Sequence, residues 1–388
     1  MHIAYLAFVD LSGTSGENVF SRELAAALGR QPGVRMSVIC PRPKGELPAK
    51  FSTDQIVLRY LPEKKRGSLR WHLGIQPSVL KSLATAEGEL GPLDGMFVTL
   101  RVGTIIPPIF SWVRRVPEVL VVEGMEARNV GGMSRVPGSG SVMHGIAWAN
   151  ALASRRVFGA YQSIKDWIGG MPFVDDDKVS TFHHGVSVEY FPAMDRLDAR
   201  EGLGTQLPQD DFVVGYLGSF KWYHRVDALL GAVAALNRPD VRVMLIGDGP
   251  ERAESERLAN DLGLGERAVF TGHVDHAQVG PYLAACDVLH GARDPNHWCH
   301  PIKVFEYMAA GRPVIAFGST DMRFVGSIGA GIALEDVTVE SVRGAIEKLI
   351  DLPAEERQRM GEIGRTRVFA EHTWDKVAQS MLSAVKSN

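Results

Sequence analysis

The sequence predicts an α/β protein of two Rossmann-like, doubly wound domains facing a cleft, and three observations lead there. Short β-rich runs alternate with amphipathic helical segments in both halves of the chain, the pattern of parallel sheets with crossover helices. The length of 388 residues exceeds one ordinary core, because domains usually run to roughly 100 to 200 residues. Finally, 41 glycines and 21 prolines spread along the chain supply turns between many short elements.

The elements follow in order. HIAYLAFV ends in the glycine-serine loop DLSGTSGEN and leads into VFSRELAAALGR, whose apolar residues recur at helical spacing, so the chain opens as strand, glycine loop and helix. VRMSVIC, QIVLRYL, GMFVTL and EVLVVE continue the series as strands. The polar run FPAMDRLDAREGLGTQLPQDD, with two prolines, reads as the interdomain linker. FVVGYLGSF then opens a second series, followed by helix VDALLGAVAALN, strand VRVMLIGDG, helix PERAESERLANDLG, strand AVFTGHV and helix AQVGPYLAACD, with DVLHG, PVIAFG and GIALE as later strands. This division assigns residues 1–195 to an N-terminal domain, 196–369 to a C-terminal domain, and 370–388 to a helix packing back on the first domain. Ligands of α/β sheets sit at the carboxyl ends of strands, which places the chemistry in the cleft.

Composition narrows the function. Hydrophobic residues at 45% and charged residues at 22% are those of an ordinary globular protein. Lys plus Arg at 42 against Asp plus Glu at 45 leaves a net charge of -3, so no global basic field exists to hold nucleic acid, which is not an expected partner. Cys40, Cys286 and Cys299 are widely spaced and form no CxxC pair, arguing against a disulfide framework and for a reducing cytoplasm. The start MHIAYLAFVDL lacks a basic leader and reads as a strand, and no run of about 18 apolar residues occurs.

The most informative stretch is HPIKVFEYMAAGRPVIAFG, residues 300–318. Pro301 fits a first helical turn, Lys303 and Glu306 share one helix face, and Gly311 with Pro313 ends the helix before a strand. A helix N-terminus beside Lys303 suits a diphosphate, while Glu306 is placed to accept hydrogen bonds from two ribose hydroxyls. The same spacing also serves a plain surface salt bridge on a solvated helix.

This segment, with VVGYLGSFKWYHRVDALL, VMLIGDGPE, VFTGHV and the closing HTWDKVAQSML, resembles retaining glycosyltransferases of family 4, which have the GT-B fold. The likeness covers nearly the whole chain, closest from about residue 212 to 385, partial in the first 30 residues and at KVSTFHHGVSVEYFP, and thin between. It implies that the P-x-K-x-x-E-x-M-A-x-G-x-P element, Ile302 included, binds a sugar donor, with Lys303 on the diphosphate and Glu306 on the ribose. It further implies that basic residues just past Gly218 touch the diphosphate. Lys221, His224 and Arg225 stand there, His224 where a Lys is common and Arg225 where a Gly is common, with a merely solubilising basic helix start as the alternative. The turn of Gly247 and Gly249 is implied to lie near the nucleoside, and Gly272, His273 and Val274 to line the base, although tight strand-to-helix turns need glycine in any case. Gly13 and Gly16 resemble the family's Gly-Gly loop, more widely spaced than the usual pair.

One departure bears on mechanism. The family often carries a second glutamate eight positions before the first, where this chain has Trp298. Asp294, Asn296, His297 or backbone amides then meet the sugar. His297, Cys299 and His300 read alternatively as a metal cluster, but a lone thiol without a second ligand pair argues against a metal site. In the first domain Glu123, Glu126 and Arg128 are the candidates beneath the donor sugar, or simply charges that end a strand. His183 and His184 flank the turn at Gly185.

The resemblance implies transfer of a sugar from a nucleoside diphosphate sugar to an acceptor hydroxyl, with retention, in carbohydrate biosynthesis. The catalytic set is Lys303, Glu306, Arg225 and Glu123, with neither metal nor cofactor besides the donor itself. The acceptor is a sugar, a lipid-linked molecule or a small molecule. Rival readings are a nucleotide-sugar epimerase of the same fold, and a non-catalytic nucleotide-sugar binder motivated by Trp298. EKKRGSLRWHLG, residues 63–74, combines Lys64, Lys65, Arg66 and Arg70 with Trp71 and Leu73, a mixture for peripheral contact at the inner membrane face or for a solvated loop beside the acceptor.

Overall fold

The structure, a computed structural model, describes residues 1–13, 15–51, 53–62, 71, 74–101, 104–124, 139–203, 207–294, 302–318 and 322–386. The chain forms two compact units, Met1–Gly185 with Trp374–Asn388, and Val186–Thr373.

The first unit is a parallel sheet of β1 (His2–Leu6), β2 (Arg35–Pro41), β3 (Ile56–Leu61), β4 (Gly95–Thr99), β5 (Glu118–Val122), β6 (Arg156–Gly159) and β7 (Val179–Thr181), in the order β3-β2-β1-β4-β5-β6-β7. Strands β1, β4 and β5 are buried along their whole length, which is why they read as continuous apolar runs instead of alternating ones. Its crossovers include α1 (Gly16–Gly29), α2 (Gln76–Leu90), α3 (Ile106–Arg114), α4 (Ser139–Ala153) and α5 (Gln162–Gly169). Polar groups are buried in this unit too, among them a carboxyl at the start of β5. The Glu118 carboxyl is buried and accepts a hydrogen bond from Ser154 Oγ at 3.0 Å, and burial pushes it up to about 8.

The second unit repeats the plan. Strands β8 (Phe212–Leu217), β9 (Val241–Ile246), β10 (Ala268–Gly272), β11 (Val288–His290), β12 (Val314–Phe317) and β13 (Gly331–Leu334) lie parallel in the order β10-β9-β8-β11-β12-β13. Helices α6 (Arg196–Leu203), α7 (Val226–Ala235), α8 (Arg252–Asp261), α9 (Val279–Ala284), α10 (Ile302–Ala309), α11 (Phe324–Ser327), α12 (Val339–Asp351) and α13 (Ala354–Glu371) connect and flank them. The strand order reverses between β1 and β4 in one sheet and between β8 and β11 in the other, and such reversals open the crevices in which doubly wound sheets take ligands.

The polar run at residues 191–211 is not a linker. It carries α6, which packs on α9, and Arg200 is fully buried there, donating to the carbonyls of Ala285 (2.9 Å), Pro208 (2.8 Å), Gln209 (2.9 Å) and Asp211 (3.0 Å) and to Asp287 Oδ2 (2.8 Å). A guanidinium satisfied by this many acceptors holds a polar segment inside a domain. The unit boundaries accordingly fall after Gly185 and after Thr373, not after residues 195 and 369. The last helix, α14 (Trp374–Lys386), belongs to the first unit and packs on α1, with Ala378, Met381 and Leu382 buried between them and the sheet. His184 lies in an aromatic cage of Phe20, Phe182 and Trp374, and burial holds its imidazole down to about 3. A Cβ on Gly185 would come within 2.6 Å of the Trp374 backbone, so this turn needs glycine for packing. No described helix is long and apolar enough to cross a membrane.

Candidate functional site

In the second unit the turns that follow β8, β9 and β10 are laced together by their backbones. Gly218 N–H donates to Ile246 O (2.9 Å), Gly247 N–H to Gly272 O (2.9 Å) and Phe220 N–H to Asp248 O (3.2 Å). Gly218 and Gly247 have φ of +145° and +130°, and a Cβ on Gly247 would stand 2.3 Å from the Gly218 carbonyl oxygen. Only glycine allows two strand ends to approach this closely.

Into this platform α10 projects Lys303. Its ammonium lies 4.3 Å from the centroid of the Tyr216 ring and donates to His224 Nδ1 at 2.8 Å. A Cβ on Gly218 would sit 2.7 Å from the same ammonium, so Gly218 leaves room for the cation. The helix is fixed beneath by Tyr307, whose hydroxyl accepts from Leu217 N–H at 2.8 Å and donates to Leu217 O at 3.3 Å. Gly311, at φ +71°, follows the end of α10, and β12 begins at Val314, where the sequence placed the stop.

Glu306 is one turn further along. It is only 7% exposed, so it does not sit on the solvated helix face that a plain surface salt bridge requires. Its carboxylate accepts from His276 Nε2 at 2.5 Å, and the His276 ring meets the edge of Tyr190 at 5.4 Å. His276 was not identified from the sequence. It starts the short turn His276–Gln278 before α9, and only the fold brings it to residue 306. Just before it, His273 and Val274 follow β10, with His273 exposed and 3.7 Å from Asp275 Oδ1 and Val274 packed against the core. Gly272, at φ +76°, turns the chain there.

The remaining basic candidates point elsewhere. Arg225 stands in the left-handed region at φ 50°, where the resembling family places glycine. Its guanidinium bonds Asp227 at 3.0 Å and Val337 O at 2.9 Å, tying the start of α7 to the loop before α12. Lys221 lies over the Tyr223 ring at 5.7 Å, and Asp294 N–H donates to Tyr223 O at 2.8 Å. The carboxyl end of β11, beside β8, carries a second residue missed from sequence. His290 is fully buried, and neither ring nitrogen has a hydrogen-bond partner among the described residues. Burial and the nearby Lys303 ammonium hold it down to about 3, so it is a neutral imidazole.

The first unit gathers a separate set at its own strand-order reversal. Gly16 starts α1, and its neighbour Glu17 lies 3.3 Å from Arg101, which also bonds Glu123 Oε1 at 3.2 Å. Arg101, just past β4, is thus the partner that sequence reasoning did not supply for Glu123, whose side chain is 7% exposed. Glu126, Arg128, Asn296, His297, Trp298, Cys299, His300 and Pro301 lie outside the described residues, as do Lys64, Lys65, Arg66, Arg70 and Leu73 of the basic stretch.

A cation on a helix's first turn, beside glycine turns at strand ends, can hold a phosphorylated ligand, and a buried carboxylate one turn on can receive hydroxyl donors. Comparison with known proteins agrees with this arrangement. Residues 203–367 match the family described as glycosyl transferases group 1. D-inositol 3-phosphate glycosyltransferase of Stackebrandtia nassauensis is 29% identical over 224 residues, 54% of this chain and 49% of that protein. A Mycobacterium bovis protein of the same name is 27% identical over 218 residues, 55% of this chain and 44% of that protein, so the chain spans about half the length of the curated relatives it matches. Sucrose-phosphate synthase from Thermosynechococcus elongatus superimposes with a TM-score of 0.77 at 18% identity, covering 99% of this chain and 98% of that one. Anabaena HepE, solved with UDP and glucose, has a TM-score of 0.77 at 17% identity over 100% of both chains. These structures share the pair of parallel-sheet α/β units of the GT-B fold. The match to the glycosyl transferases group 1 family thus falls on the second unit, over the segment that carries Gly218, Lys303 and Glu306.

Proposed function

We propose that the protein transfers a glycosyl group from a nucleoside diphosphate sugar to an acceptor hydroxyl, with retention of anomeric configuration and without a metal ion. The observation that carries this reading is the Lys303 ammonium, held at 2.8 Å from His224 over the end of β8, on the same short helix as the buried Glu306. As the glycosidic bond breaks, charge grows on the diphosphate. Lys303 and the first turn of α10 stabilise it. Glu306, oriented by His276, receives the ribose hydroxyls. The acceptor's proton passes to the leaving phosphate in a front-face attack, which asks for no protein nucleophile. HepE, solved with UDP-glucose, supports a nucleotide sugar as the donor class, and the inositol 3-phosphate named for the relatives is the first acceptor to try.

Because the cation acts more strongly on the transition state than on bound donor, Lys303→Met should lower turnover on the order of 100-fold while changing donor affinity far less. Steady-state kinetics on the folded variant, with EDTA present, tests both parts. Near-normal turnover would remove Lys303 from the chemistry, and a rate lost in EDTA and restored by manganese would replace this clamp with a metal. Donor binding without turnover, across a panel of acceptors, would instead favour a nucleotide-sugar-binding protein.

A further inference from the structure

We infer that His224 is a proton-coupled ligand of the donor diphosphate: it takes up one proton when the diphosphate binds beside Lys303, and so becomes the second cation of the site. The inference rests on the reading that this site takes a diphosphate.

The geometry fixes the starting state. A lysine ammonium has only hydrogens to offer, so at 2.8 Å from Lys303 Nζ the Nδ1 of His224 accepts through its lone pair. The imidazole is therefore neutral, with its proton on Nε2, because an Nδ1–H would face the ammonium hydrogen to hydrogen. The ring has little freedom to turn away. It is 9% exposed, lies against Tyr223 at 4.6 Å and Tyr216 at 6.1 Å between centroids, and its backbone N–H is bonded to Lys221 O at 2.9 Å.

Among the described residues, the charged and titratable groups on the surrounding elements are Lys303 on α10, Tyr216 on β8, Lys221 and Tyr223 on its own turn, the Arg225–Asp227 pair at the start of α7, neutral His290 on β11, and Asp294 in the loop that reaches Tyr223. The nearest of these to Nδ1 in hydrogen-bond terms is a cation, which disfavours an imidazolium before ligand arrives.

A diphosphate reverses that field. Its oxygens draw the Lys303 N–H into a charge-assisted bond stronger than the one to a neutral ring, Nδ1 loses its donor, and two adjacent negative charges favour the protonated ring. Water supplies the proton. An Nδ1–H bond forms, Lys303 keeps its three protons, and hydroxide is taken up by the buffer. The ligand thus raises the imidazole pKa. The gain in affinity is fully present below the free protein's value, shrinks by up to about tenfold per pH unit through the window, and is lost above the value in the complex.

Titration calorimetry with UDP-glucose, whose diphosphate has no proton of its own to exchange near neutrality, tests this at about pH 7, where an ordinary imidazole of pKa about 6.5 is mostly neutral. Measured in PIPES and in Tris, which differ in ionisation heat, the wild-type protein should show uptake of a substantial fraction of one proton. His224→Gln should bind more weakly without uptake. His224→Lys, permanently charged, should bind without uptake and with an affinity that no longer falls as pH rises. Equal heats in the two buffers for wild type, or uptake that persists in either variant, overturns the inference while the diphosphate reading stands. Failure of both UDP-glucose and inorganic pyrophosphate to bind overturns the diphosphate reading and this inference together.

Discussion

Gly218→Ala separates the role of Lys303 from its mere presence. The added Cβ would stand 2.7 Å from Lys303 Nζ and 3.3 Å from its Cε, where ordinary contact begins at 3.4 Å. The ammonium is the far end of a flexible side chain, so it yields, and the shortfall of 3.4 minus 2.7 makes the retreat about 0.7 Å. Directed away from His224, that retreat stretches the 2.8 Å bond to about 3.5 Å, the weak limit of hydrogen-bond range. The backbone contributes independently, because φ +145° is glycine territory and forcing an L-residue there costs about 1 to 3 kcal/mol. In a domain of this size each kcal/mol lowers the melting temperature by roughly 2 to 4 °C. A cation misplaced by most of an ångström costs on the order of 10- to 100-fold in rate. Thermal melting and donor turnover, measured together, should therefore show a folded protein a few degrees less stable and strongly impaired. In the Lys303→Met background most of that functional loss should vanish, since the displaced group is no longer a cation. Wild-type turnover in folded Gly218→Ala, or a full additive loss in the double variant, would refute this account of the glycine.

Two further outcomes follow from the same structure. The Glu118 carboxyl, at about 8 in the folded unit against an ordinary 4.5, is protonated when folded and ionised when unfolded between those values. Its contribution to stability is fully present below the unfolded value and falls by about 1.4 kcal/mol per pH unit up to the folded one. Chemical denaturation from pH 5 to 8 should show Glu118→Gln losing this slope, and parallel profiles would contradict it. Arg225→Gly should relieve about 1 to 2 kcal/mol of left-handed strain while giving up a half-exposed pair with Asp227 worth at most about 1 kcal/mol. Near-wild-type stability and turnover are expected, and a rate loss on the order of 100-fold would return Arg225 to the diphosphate.

What was legible in the sequence is what local chemistry dictates. The buried parallel strands announce themselves as Val- and Ile-rich runs, and Gly311 and Pro313 stop α10 through their own backbone preferences. Lys303 and Glu306 could be assigned to one helix face because α-helical spacing fixes it. The rest was set by partners distant in the chain. Arg200 and its neighbours read as a solvated linker because polarity is scored residue by residue, whereas this guanidinium finds its acceptors at residues 208–211 and again at residues 285 and 287. In sequence Glu123 is open between a site residue and a charge that ends a strand, and only the fold brings Arg101 beside it. Strand β6, only Arg156–Gly159, is too short for periodicity to register.

The deeper limit concerns α10 itself. Spacing places its cation and its carboxylate on one face and so invites the conclusion that they serve each other. In the folded unit each is given to a different histidine, Lys303 to His224 from the turn after β8 and Glu306 to His276 from the turn after β10. Neither histidine belongs to the helix, and although His224 stands among the basic residues past β8, nothing in the sequence around His276 marks it. Two imidazoles from turns on either side of β9 thus keep the ammonium and the carboxylate of one helix turn as separate instruments, one polarity for an anion and the other for hydroxyl donors. The sheet order is what puts those two turns within reach of one short helix.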